Sequence, residues 1–226
     1  MSDNDEATCL RLLMFLGTAR DSTPPRPARL GLRVAHACRA QLAARGAEVA
    51  LIDPLDVPLD RAFKPHFAYA RGKAPAALEM LAGEIEAADG YVMVSPEYNH
   101  AMSPALAHLL NHFGASLFAY KPSAIVTYSA GQWGGARAAV NMRTFLSELG
   151  CLPVSAMIHV PKAQEVFVAD GTFLEGADAD HWRSYMDRTF SQFFWWADAA
   201  RKQRASEDAP ARPGAFARDP SQRNAP

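Results

Sequence analysis

The chain has 226 residues, 49% hydrophobic and 21% charged, with a formal net charge of −1. That length supports one sizeable core, and the near-neutral balance excludes the cationic footprint of a nucleic-acid or anionic-membrane binder, leaving a small molecule as the expected partner. The three cysteines, Cys9, Cys38 and Cys151, form no Cys-x-x-Cys pair, so neither a disulfide framework nor a zinc site is indicated, and a reduced cytoplasmic setting is expected. The acidic stretch from Ser2 to Glu6 is unlike the basic start of a signal peptide, and no apolar run reaches the ~20 residues that span a bilayer.

Leu10 to Leu16 is a nearly continuous apolar run ending at Gly17, the pattern of a parallel strand buried on both faces. Apolar residues at helical spacing from Leu30 to Ala44 (Leu32, Ala35, Cys38, Leu42) stop at Gly46, which suits a helix C-cap. Glu48 to Ile52 follows as a second strand. Prolines at 54, 58, 65 and 75 make Asp53 to Pro75 a long surface connection, whose Phe63, Phe67 and Tyr69 are candidates to dock on a neighbour. Ala76 to Ala88 predicts a helix and Tyr91 to Ser95 a third buried strand. A helix from Pro104 to about Phe113, a fourth strand from Ser123 to Tyr128, a helix from Ala136 to Leu149 ended by Gly150, and a fifth strand from Val154 to Val160 follow. Ala179 to Lys202 predicts a closing helix with Trp182, Met186, Phe190, Phe193 and Ala197 on its packing face. Residues 1–8 and 204–226 are expected to be disordered, the latter because it has little to bury, which leaves 9–203 as one domain.

Strands alternating with helices specify an α/β fold. A three-layer, doubly wound, five-stranded parallel sheet of order 2-1-3-4-5 is expected, with ligand at the carboxyl ends of the strands where the winding reverses. Three loops at those ends have unusual composition. Gly17-Thr18-Ala19-Arg20 follows the first strand and precedes a helix, combining a turn glycine, a hydroxyl, backbone N–H groups and a guanidinium as a phosphate cradle would. A tight turn with a surface arginine gives the same pattern. Neither Gly-x-x-x-x-Gly-Lys-Ser/Thr nor Gly-x-Gly-x-x-Gly is present, which favours a monophosphate over a dinucleotide. Ser95-Pro96-Glu97-Tyr98-Asn99-His100 follows the third strand, and Ser129-Ala130-Gly131-Gln132-Trp133-Gly134-Gly135 the fourth, where glycines let backbone approach a flat ligand.

The ungapped Pro96-Glu97-Tyr98-Asn99 segment and the Ser-x-Gly-x-x-Gly-Gly run from Ser129 to Gly135 resemble the NAD(P)H-dependent FMN reductase family, the flavodoxin-like quinone, azo-dye and chromate reductases. The resemblance covers roughly residues 10 to 165, with the three loops in the family's order. It implies an enzyme that binds FMN, uses NAD(P)H as co-substrate and reduces a small acceptor such as a quinone, free flavin, azo compound or metal oxyanion in a ping-pong cycle. It further implies that Pro96, Glu97, Tyr98 and Asn99 line the flavin ring together with Ser129, Gly131, Gln132, Trp133, Gly134 and Gly135, that Gly17, Thr18 and Arg20 hold the phosphate, and that the protein is a homodimer or homotetramer. Hydride transfer needs no catalytic side chain. The chain departs from the family in a proline-rich insertion from Asp21 to Pro27, which leaves open whether Ser22, Thr23, Arg26 or Arg29 completes the phosphate site. It departs again after Asn99, at Ala101, Ser103-Pro104 and Ala107-His108.

Two other readings weigh less. His108 and His112 lie four apart on a predicted helix near His100, which is metal-ligand spacing, but no carboxylate lies among them. Ser95 and Ser129 precede turns without a Gly-x-Ser-x-Gly elbow. The alternative from a different class is a non-enzymatic electron carrier like flavodoxin, or a flavin-binding module. Such carriers are typically strongly acidic, whereas this chain is near neutral and places Arg20 in the first loop.

Overall fold

The computed structural model describes residues 9–20, 29–60, 62–208, 210, 211 and 213. Residues 1–8 and 214–226, where disorder is expected, and the whole insertion after Arg20 lie outside them. The first strand, β1 (Arg11–Leu16), is buried at every position but its first, and its alternate side chains feed two cores. Leu12, Met14 and Leu16 face α1 (Leu30–Ala43) and the closing helix; Leu13 and Phe15 face the helices of the opposite layer. Burial on both faces is what a continuous apolar run without alternation requires.

β2 (Glu48–Ile52) and β3 (Gly90–Tyr98) pair in parallel on either side of β1, and β5 (Pro122–Tyr128) pairs in parallel beyond β3. Between them come α2 (Ala76–Ala87), the two-residue β4 (Ala101–Met102), α3 (Pro104–Asn111) and α4 (Ala115–Phe118). After α5 (Ala136–Leu149) the sheet closes with β6 (Leu152–Pro153) and β7 (Ile158–Val160), both parallel to β5. The path β2-β1-β3-β5-β6 agrees with the expected order through its first four positions. The fifth position is two short strands instead of one from Val154 to Val160. Pro153 has no N–H for the ladder. Beyond Val154 side chains replace ladder bonds: Arg143 Nη1 donates to the carbonyls of Val154 and Ser155 at 3.0 and 3.3 Å, and the Ala156 N–H donates to Gln192 Oε1 at 3.0 Å.

The closing helix, α6 (Ala179–Ala205), buries Met186, Phe190, Phe193 and Ala197 against β1, β3 and β5, with Trp182 partly buried at the same face. Gly90 admits it closely, since a Cβ there would lie 2.8 Å from the Phe193 ring. The helix runs past the expected Lys202. Arg204, assigned from sequence to the tail, belongs to the helix instead: its guanidinium donates to Asp89 Oδ1 and to the Tyr120 carbonyl, each at 2.9 Å, with the Arg204 and Asp89 side chains 17% and 13% exposed. A polar tail pattern hides such an anchor because its partners stand more than eighty residues away. A hydrogen bond to a charged group contributes ~1.5–3 kcal/mol, so Arg204→Ala should lower the melting temperature by several degrees. An unchanged melting temperature in calorimetry would show that the helix end contributes nothing.

Candidate functional site at the carboxyl edge of the sheet

The first loop is pinned to the sheet at its start. The Gly17 N–H donates to the Val94 carbonyl at 2.6 Å, and a Cβ on Gly17 would meet that oxygen at 2.7 Å and Ser103 Oγ at 3.2 Å. Thr18 is buried; its carbonyl accepts from Arg29 Nη1 at 2.8 Å and its Oγ1 from the Arg20 N–H at 3.3 Å. Arg29 forks onto both carboxylate oxygens of Asp53, just past the end of β2, with the two side chains only 7% and 13% exposed. That pairing commits Arg29 to closing the base of the loop. Ser22, Thr23 and Arg26 lie outside the described residues. Arg20 stands exposed at the loop's end. α1 starts without a side-chain cap and without an acidic residue in its first turn, so its N-terminal N–H groups and positive dipole end stay open to an anion.

The second loop is largely strand. β3 continues through Tyr98 and turns back on itself, with Glu97 opposite Met102 and Tyr98 opposite Ala101 in antiparallel register. Asn99 and His100 occupy the left-handed region, φ 50° and 63°, the two-residue geometry that matches the twist of a hairpin. Pro96, in register with Tyr128, sits where β3 leaves the parallel ladder. The Ser95 hydroxyl accepts from the Ser103 N–H at 3.0 Å, and Ser103 Oγ in turn caps α3 through the Leu106 N–H. Glu97 points back into the protein. Burial pushes its carboxyl up, but hydrogen bonds from Arg137 Nε at 2.7 Å and the Ala138 N–H outweigh this and hold it below the usual carboxylate range. The hairpin is thereby tied to the start of α5, leaving its backbone and the 44% exposed Tyr98 to face outward.

Ser129 organises the third loop. Its N–H donates to the Val160 carbonyl at 3.0 Å, its hydroxyl donates to the Gly131 carbonyl at 2.7 Å, and the same oxygen accepts from the Gly134 N–H at 2.9 Å. The chain leaving β7 returns two more bonds, from the Lys162 N–H to Gly131 and from the Ala163 N–H to Ser129. Gly134 and Gly135 have φ 59° and 76°, and Cβ atoms there would lie 3.0 Å from Pro161 N and 2.8 Å from Thr127 Cβ. Their glycines are thus required by the protein's own backbone before any ligand arrives. Gly131 differs, because a Cβ on it would meet nothing within 4 Å. Gln132 and Trp133 are exposed, and the Arg137 guanidinium lies 5.8 Å from the Trp133 ring centroid.

Several partners in this arrangement carry no local sequence signal. Arg29 with Asp53, Arg137 with Glu97, and His159 Nδ1 with Thr127 Oγ1 at 2.8 Å join elements far apart in the chain. The His108 and His112 rings meet edge-on at 5.0 Å with Phe63 4.7 Å from His112, and among the described residues no group of three or more His, Cys, Asp or Glu is placed to hold a metal ion. The edge does suit FMN: a phosphate monoester is matched by Thr18, Arg20 and the uncapped start of α1, and a flat ring by the hairpin at Pro96–Asn99, half-buried at Pro96 and Glu97 and exposed at Tyr98 and Asn99, and the open flank of Gly131.

A doubly wound sheet with these loops at the reversal of its winding defines the flavodoxin-like class. The profile of the NADPH-dependent FMN reductases matches residues 10–165. The chain is 32% identical over 134 residues to an NAD(P)H-dependent FMN reductase of Pseudomonas aeruginosa, covering 58% of this chain and 70% of that protein. Over 75 residues it is 40% identical to a quinone reductase of Escherichia coli, covering 32% of this chain and 40% of that protein. The solved flavoenzyme NAD(P)H:(acceptor) oxidoreductase FerB of Paracoccus denitrificans shares the fold at 19% identity with a TM-score of 0.61, over 85% of this chain and 98% of that one. This chain therefore belongs to the NADPH-dependent FMN reductase family and is an oxidoreductase that uses FMN with NAD(P)H. Its relatives do not favour a non-enzymatic electron carrier.

The contrast between the glycines is testable. Holding a residue with a Cβ in the left-handed region costs ~1–2 kcal/mol, so Gly134→Ala should lower the melting temperature of the flavin-free protein by roughly 2–8 °C. Gly131→Ala should leave it unchanged. Equal melting temperatures for the two variants would contradict the assignment.

Proposed function

We propose that this protein passes reducing equivalents from NAD(P)H to a small planar acceptor at the loops beyond β1, β3 and β5. The observation that carries this is the fastening of those loops into one edge by internal bonds that leave Arg20, the start of α1 and the backbone around Gly131 free to serve a ligand. FMN held there would supply the chemistry of hydride uptake from nicotinamide and two-electron delivery to the acceptor. The protein binds and orients. Thr18 and Arg20, with the N–H groups of α1, hold the phosphate; Pro96, Glu97 and Asn99 present backbone to the ring while Glu97 fixes the hairpin; Gly131 gives close approach, and Gln132 and Trp133 flank it. Tyr98 and Trp133, both exposed, are the aromatic surfaces at this edge offered to a nicotinamide or planar acceptor. An open edge of this kind takes many flat oxidants, and the likeness to a quinone reductase supports a quinone among them.

No helix is long and apolar enough to cross a membrane among the described residues, and the buried, unpaired Cys38 and Cys151 accord with a cytoplasmic setting. The protein works as a homodimer or homotetramer. Phe63 and Phe67 are 52% and 37% exposed, and a groove of about 510 Å3 lined by Phe67, Phe113, Phe145 and Leu149 lies beside them, apolar surface that a second copy covers. Sedimentation should show a dimer or tetramer at micromolar concentration; a single monomeric species refutes this.

The function is tested by the visible spectrum and by turnover. Purified protein given FMN should show oxidised-flavin bands and oxidise NADH or NADPH with a quinone in a ping-pong pattern. Colourless protein that ignores FMN overturns the reading. A charge-assisted bond to phosphate is worth ~1.5–3 kcal/mol, so Arg20→Ala should weaken FMN binding about ten- to a hundredfold while altering turnover at saturating FMN much less. Unchanged affinity would remove the first loop from the phosphate site.

A further inference from the structure

Arg137 stands between the two loops assigned to the flavin ring. It is the second residue of α5, just past Gly135 of the third loop, and it bonds Glu97 in the hairpin of the second. A guanidinium carries five N–H donors, and its two terminal nitrogens form a planar fork that matches a two-oxygen anion. Only Nε is committed here, donating to Glu97 Oε1 at 2.7 Å, while the other Glu97 oxygen accepts from the Ala138 N–H at 3.5 Å. Among the described residues nothing accepts a hydrogen bond from Nη1 or Nη2 of Arg137.

The pair is unequal in exposure. The Glu97 side chain is 11% exposed and that of Arg137 48%, so the positive member is the one open to solvent. Trp133, 64% exposed, has its ring centroid 5.8 Å from the guanidinium carbon, within the range of a cation–π contact. An unused cationic fork and a bare aromatic face therefore adjoin each other. At long range Glu97 offsets the charge of Arg137, which leaves recognition to direct contact with the fork.

We propose that Arg137 is a specificity-determining residue for the electron acceptor, its Nη1 and Nη2 binding the carboxylate or sulfonate of a planar aromatic anion whose ring lies against Trp133. Such a group takes two parallel bonds from the fork, and the ring that bears it is brought to the indole face. The extra phosphate of NADPH is also an oxyanion, but it sits on the adenosine ribose, far along that molecule from any aromatic ring it could share with Trp133 and the flavin at once. A fork beside an aromatic face fits an anion attached directly to a ring. The inference deepens the proposed function and rests on it, naming anionic aromatics among the acceptors.

FMN-loaded wild type, Arg137→Lys and Arg137→Gln are titrated with naphthalene-2-sulfonate and with the uncharged naphthalene-2-sulfonamide, neither of which takes electrons from a flavin, following the flavin absorption bands. Wild type should bind the sulfonate more tightly than the sulfonamide, and added salt should narrow the difference. Because the fork is half exposed and screened by water, Arg137→Gln should weaken the sulfonate about three- to tenfold relative to the sulfonamide. Arg137→Lys keeps a charge that can meet Glu97 but has no fork, and should restore only part of that ratio. Loosening of the hairpin lowers both affinities together, so the ratio separates recognition from a structural tie. Turnover of 1,4-naphthoquinone-2-sulfonate against 1,4-naphthoquinone should shift by the same factor, in KM. An unchanged ratio in Arg137→Gln, or equal loss of both ligands, overturns the proposal. A changed preference between NADPH and NADH in place of the ratio assigns the fork to the nucleotide and overturns it too. Wild type that reduces naphthoquinone yet does not distinguish the two naphthalenes refutes this subsite alone, whereas protein that takes up no FMN refutes the function on which it rests, and the subsite with it.

Discussion

The carboxyl edge depends on how closely the end of β1 approaches the end of β3. Gly17 turns directly over Val94 and Ser95, its N–H bonded to the Val94 carbonyl at 2.6 Å, with no room for a Cβ against that oxygen. This contact starts the first loop at the sheet instead of above it. Ser103, whose hydroxyl caps α3 and whose N–H is bonded to Ser95, is drawn to the same spot. A side chain at residue 17 would push the first loop, the β3 hairpin and the start of α3 apart together.

Around that contact the protein uses two kinds of force for two purposes. Apolar burial builds the platform, with Leu12, Met14, Leu16, Val92, Val94 and Val126 on one face of the sheet and Leu13, Phe15, Met93 and Ile125 on the other. Burying one such side chain is worth ~1.5–3 kcal/mol but specifies no loop geometry. Directional bonds supply that geometry. Arg29 with Asp53 closes the first loop, Glu97 with Arg137 joins the hairpin to α5, and the Ser129 hydroxyl folds the third loop onto itself. The same logic reaches the distant edge of the sheet, where the buried Lys121 ammonium donates to the carbonyls of Ile85 and Glu86 near the end of α2 and to Leu117, a charge held inside by backbone dipoles.

The candidate site was legible in the sequence wherever its signal was local. Pro96-Glu97-Tyr98-Asn99 and the glycines of the third loop are each contiguous in the chain, and each run directly follows an apolar strand, which sets it at the carboxyl edge of the sheet. What Glu97, Ser129 and Gly134 do was not legible. Glu97 and Ser129 turn inward to bond Arg137 and Gly134, and the positive φ of Gly134 answers to Pro161, a residue in another segment. Pattern alone treats every polar or small residue in a motif as facing the ligand.

The sequence by itself determined the layered α/β architecture, the order of the first four sheet positions and the family. Those rest on the period of apolar residues and on contiguous motifs, which the chain carries locally. Only the tertiary structure decided that the last sheet position is split at Pro153, that α6 carries Arg204 to Asp89, that Arg29 closes a loop, and that Tyr128 lies beneath Thr18. Each of these joins residues separated by at least ten positions through a directional bond or a close steric contact. Such bonds depend on where two distant backbones arrive in space, and no local periodicity encodes that arrival.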